Sequence, residues 1–110
     1  MPEMDIVDTL LAARDIVAES WCQNAPGRTA SGEGVLANHP DAVSWCMAGA
    51  IEKASGTDYM TDAHRFAYRY LVGEKHVGIF GFNDLESRTK WQVVGMLDEI
   101  ATAAKEAGVS

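Results

Sequence analysis

The sequence predicts a mainly α-helical single domain, a small bundle of about four helices with room for a minor two-stranded β element. Three observations carry that prediction. Apolar residues return every three or four positions in separate stretches. The last stretch opens with a capping-box pattern, and most glycines and prolines fall between the stretches. At 110 residues the chain suits one hydrophobic core, and 47% apolar residues supply it without help from disulfides.

The first helix is expected from about Asp5 to Trp21, where Ile6, Leu10, Ala13, Val17 and Trp21 share one stripe. Pro2 precedes it and Asn24 to Gly27 follow. A long connection over about 23–38 comes next, with three glycines and a proline between Gln23 and Gly34. Such connections are uncommon in small domains, and they serve either as surface crossovers or as clamps for a ligand or partner. A second helix is expected from Asn38-His39-Pro40-Asp41 to Ser55, ending at Gly56, with Val43, Cys46, Met47, Ala50, Ile51 and Ala54 inward. Gly49 within it implies close approach of another helix or a ring, because glycine inside a helix is costly.

A third helix is expected over Thr61 to Val72, stopped by Gly73. The segment from His76 to Phe82, broken by glycines, reads as a strand or extended piece, with Val35-Leu36 as its candidate partner. The last helix is the clearest. Thr89 at its cap and Gln92 three residues on make a capping box, and Val93, Val94, Leu97, Ile100, Ala101 and Ala104 line one side up to Gly108.

Sixteen acidic residues against nine basic ones give a formal charge of -7, which repels phosphate backbones and argues against direct nucleic-acid binding. A mimic of nucleic acid would require folding to gather Asp5, Asp8, Asp15, Glu19, Asp98, Glu99 and Glu106 on one face. No uncharged run is long enough to span a bilayer. The two cysteines are far apart in sequence and no apolar leader precedes them, so reduced thiols and a cytoplasmic setting are expected.

Chemistry has few candidates. Cys46 is the candidate nucleophile, with His39, His64 or His76 as a base that no spacing selects and His39 carried as the candidate. Its stripe neighbours nonetheless place the thiol in the core. The spacings of histidine, cysteine and acidic residues select no metal, and no cofactor is expected. Asn83 and Asp84 either close the turn before the last helix or join Phe82, Arg88 and Trp91 in a recognition patch for a protein partner. The balance favours a domain that is not an enzyme.

Trp45-Cys46-Met47-Ala48-Gly49-Ala50-Ile51, Phe82-Asn83-Asp84, Arg88-Thr89 and Val93-Val94-Gly95-Met96-Leu97-Asp98 together resemble a family of small uncharacterised proteins of bacteria and their phages. That family pairs a Cys-x-x-Gly-Ala helix with a Trp-Asn-Asp turn and an Arg-Thr opening to the C-terminal helix. Phe82 stands here where a Trp is usual, and Glu86-Ser87 where Pro-Gly is common. The resemblance implies a phage or prophage setting and, with it, a small accessory protein that binds and blocks a host protein. Two alternatives stand beside it. One is a small hydrolase or ligand binder using Cys46 and a histidine. The other is a phage structural or assembly component. A homodimer belongs to the accessory-protein reading, and higher-order oligomers to the assembly component.

Overall fold

A computed structural model describes residues 5–109 and shows five helices with a small three-stranded sheet. The expected proline boundary at Pro2 lies outside the described residues. Helix α1 (Ile6–Glu19) begins where Asp5 turns its carboxylate onto the Asp8 N–H at 2.7 Å. It buries Thr9, Leu10, Ala13 and Val17. Its last turn carries no cation of its own, but Lys90 reaches across and donates to the Ala18 carbonyl at 3.0 Å, supplying positive charge where the helix dipole is negative.

The stretch over 23–38 holds no helix but does hold order. β1 (Gly27–Arg28) and β2 (Gly34–Val35) form an antiparallel hairpin, and β3 (Ser44–Trp45) pairs antiparallel with the other edge of β1. Val35 thus pairs with Gly27, not with the 76–82 segment. Arg28 braces the hairpin from inside, donating to the Gln23 carbonyl through Nε and Nη2 and to the Gly32 carbonyl through Nη1.

The second helix starts later than its sequence suggests. α2 spans Met47–Ser55 with Cys46 as its N-cap. Asn38-His39-Pro40-Asp41 instead makes a turn, and Val43 lies largely in solvent. Asn38 is held outward by Asp58, which accepts from both its backbone and side-chain N–H groups, while Ser44-Trp45 is drawn into the sheet by β1. Tertiary pairing overrides a locally good helix start.

Helix α3 (Asp62–Lys75) is capped by Thr61 and runs through Gly73, whose entropic cost is too small to stop it there. It closes at His76, whose φ of 59° puts it in the left-handed region that ends helices. Residues expected to be extended form a fourth helix, α4 (Ile79–Asp84), with Ile79, Phe82 and Asn83 inward at helical spacing. α5 (Lys90–Glu106) carries the expected capping box, with Thr89 and Gln92 each accepting from the other's backbone N–H. α1 lies along α5 and against α2, and one cluster of apolar side chains from all five helices forms the core. Arg14 donates to Asp98 at 2.8 Å and also pairs with Asp15, which breaks up the acidic field that α1 and α5 share.

Gly49 answers a specific geometric need. A Cβ built there lands 1.8 Å from the Pro26 carbonyl oxygen, the same oxygen that accepts the Cys46 N–H. The close neighbour is a loop backbone, not a helix or ring. Gly49→Ala is therefore expected to cost about 2–3 kcal/mol or prevent folding despite alanine's helix preference. Gly95→Ala, in the exposed interior of α5 with nothing within 4 Å, is expected to gain about 0.5–1 kcal/mol. Urea unfolding of both variants measures the contrast.

Two groups set opposing pH dependences. His64 is buried, its Nδ1 has no hydrogen-bond partner among the described residues, and desolvation, then Arg65, lowers its pKa below 6.5. Its contribution is intact above about pH 6.5 and is lost as acid protonates the unfolded chain first. Glu52 is pushed up to about 7, by desolvation and then by Asp58. Its folded form favours the proton, so its contribution falls as pH rises from about 4.5 through 7. Glu52→Gln is expected to raise stability at pH 8 by about 1 kcal/mol after solvent screening, and to change little at pH 4. Denaturation midpoints at the two pH values check the sign.

Candidate functional site

The residues with the densest polar chemistry meet where the end of α1, the loop before β1, the start of α2 and the end of α4 converge. Asn83 stands at the centre and is fully buried. Its Oδ1 accepts from the Trp21 indole at 2.7 Å and from the Met47 N–H at 2.9 Å. Its Nδ2 donates to the Cys22 carbonyl at 3.2 Å and to Asp84 Oδ1 at 2.8 Å. All four amide positions are used, as a buried amide requires. Asp84 Oδ1 accepts as well from the Asn24 N–H, and Gln23 donates to the Asn83 and Leu85 carbonyls. Asn24 sits at a φ of 67°, which turns its N–H toward that carboxylate.

Cys46 lies beside this hub. It occupies the N-cap of α2 rather than the second turn expected from the sequence, and its sulfur accepts from the Gly49 N–H at 3.3 Å. A helix N-terminus lowers a thiol pKa, but here burial prevails and pushes Cys46 up to about 12. The thiol is 1% exposed. His39 is in an exposed turn, where its Nδ1 accepts from the Asp41 N–H at 3.0 Å. Among the described residues no imidazole hydrogen-bonds the Cys46 sulfur. The pair proposed for nucleophilic chemistry is not assembled. No group of three or more His, Cys, Asp or Glu among the described residues could hold a metal ion.

The recognition patch expected around the turn divides in two. Asn83 and Phe82 face inward, so neither is offered to a partner. Their burial follows from α4 being a helix, which sends positions 79, 82 and 83 to the same side. Trp91 is 65% exposed, with Lys90 Nζ 4.7 Å from its ring centre. Arg88 is held in place, donating to the Phe82 carbonyl at 2.7 Å and stacking 3.8 Å from the Phe82 ring. Leu85, whose carbonyl accepts the Arg88 N–H, is half exposed at this turn, and Phe80 is half exposed on α4. Asp84 is half-buried and engaged by the loop before β1.

Sequence reasoning missed Trp21, Gln23, Arg28 and Pro26 as members of the site. A signal existed in the repeated Trp-Cys dipeptide, Trp21-Cys22 and Trp45-Cys46, whose tryptophans form a parallel bridge. A second feature lies apart, on α3 and α5. There Tyr70 donates to Glu99 at 2.5 Å at the edge of an open cavity of about 380 Å³ that Asp98 and Glu106 also line. That bond raises the Tyr70 pKa to about 12, because the carboxylate acceptor favours the phenol that keeps its proton.

Removing the central amide tests its structural weight. Asn83→Ala leaves the Trp21 indole and the Met47 N–H without their acceptor and the Cys22 carbonyl without this donor, at roughly 1–3 kcal/mol for each group that stays buried. The expected loss is about 3 kcal/mol or more, measured by chemical denaturation, with Trp21 fluorescence changing in the folded state.

No curated protein and no solved structure matches the chain. A sequence-family match covers residues 1–103, nearly the whole chain and every element of the hub. The chain belongs to the Family of unknown function (DUF6197).

Proposed function

We propose that this domain acts by binding another protein through the corner formed by α4 and the start of α5. The observation that carries the reading is Trp91, a large aromatic left mostly in solvent on the first turn of a capped helix. Tryptophan and arginine are the side chains that most often anchor interfaces, and they do so best when held rigid beforehand. Here the capping box fixes the helix start, and the Phe82 ring and carbonyl fix Arg88. Leu85 adds exposed apolar area beside Arg88. The net charge of -7 steers the domain toward a basic partner surface.

A catalytic reading through Cys46 has less support, since burial raises the thiol pKa and no imidazole among the described residues hydrogen-bonds its sulfur. The phage or prophage setting implied by the resemblance makes a host protein the partner, blocked by steric occupation. Trp91→Ala is expected to weaken partner binding by tenfold or more while stability stays within about 0.5 kcal/mol. Affinity capture from host lysate, comparing the parent chain with Trp91→Ala and Leu85→Ser, checks it. Equal capture by all three overturns the reading. Light scattering on the purified chain shows whether a second copy is itself the partner.

A further inference from the structure

We propose that Cys22 and Cys46 form a reversible intrachain disulfide when the folded chain meets a peroxide. The basis is strand register. Trp21 and Trp45 make a parallel bridge, with the Trp45 N–H donating to the Ser20 carbonyl and the Cys22 N–H donating to the Trp45 carbonyl. The next residue on each segment is a cysteine, so Cys22 and Cys46 lie directly past this isolated bridge, where the Asn83 amide takes up the Cys22 carbonyl and the Met47 N–H. Both thiols are free. They are also within electrostatic reach, since negative charge at Cys22 raises Cys46 further and Asp84 acts on both.

The two thiols have unequal access. Cys22 is half-buried and Cys46 is buried, so the oxidant meets Cys22 first. Cys22 attacks one peroxide oxygen, the O–O bond breaks, and a sulfenic acid forms with release of water or an alcohol. Cys46 then attacks the Cys22 sulfur, the S–S bond forms and the S–O bond breaks. The hydroxyl leaves with the Cys46 proton as water. The two thiols are oxidised by two electrons and the peroxide is reduced by two. Burial raises both thiols, which makes the reaction slow but leaves its product unchanged.

The test exposes dilute folded protein to hydrogen peroxide and reads thiol count, intact mass and the linkage of protease fragments. The expected result is loss of both thiols, a mass lower by two hydrogen atoms, and fragments containing Cys22 and Cys46 joined until a thiol reductant is added. Cys22→Ser should leave Cys46 as a free thiol at the same dose. Persistence of both thiols, oxygen added to Cys22 without a cross-link, or linkage only between chains overturns the proposal. If Cys22→Ser does not fold, the fragment linkage in the parent chain decides alone.

Discussion

One buried amide holds the polar interior of this fold together. Asn83 bonds at once to the indole and backbone that follow α1, to the first N–H of α2, and to its own neighbour Asp84. The Trp21 indole and the Met47 N–H lie 62 and 36 residues from it, and each would lose its acceptor without it. Apolar packing along α1, α2 and α5 supplies the bulk of the burial. The amide determines how the irregular segments seat against that packing. A half-satisfied network of this kind is worse than none, so its completeness matters more than any single bond in it.

The sheet depends on the same seating. Its strands are two residues each, too short to persist alone, and their own side chains anchor them to groups outside the ladder. Arg28 ties the hairpin to Gln23, and Gln23 ties it to α4. Trp45 spans the other edge, donating from its indole to the Ala37 carbonyl while Lys53 covers its ring. Pro26 then rests on Gly49 with no space for a side chain between them. Small irregular elements are thus fixed by a few residues whose roles are geometric.

Much of the helical frame was legible in the sequence. The stripes of α1 and α5 and the Thr89–Gln92 box are local patterns, decided within a few turns, and they appear as read except that α1 stops at Glu19 and leaves Trp21 to the bridge with Trp45. The start of α2 was not legible, because Asn38-His39-Pro40 is a sound cap that loses to the pairing of Ser44 and Trp45 with β1. α4 was hidden by Gly78 and Gly81, which weaken a helical reading although Ile79, Phe82 and Asn83 keep its spacing. Gly81 is tolerated because a side chain there would press on Val77, and Gly78 serves as the cap. Of the candidate site, the turn residues were found but their direction was not. Whether Asn83 faces solvent or core depends on α4 being helical, and that in turn depends on contacts no local pattern records.

The reach of Lys90 to the end of α1 makes the first turn of α5 and the last turn of α1 a single electrical unit. Fraying at one place removes the charge that steadies the other, and Trp21 lies two residues beyond. The two helix ends should therefore open together, as one cooperative segment rather than two. Backbone amides near Ser20 and near Trp91 would then exchange with solvent at matched rates, although seventy residues separate them in the chain.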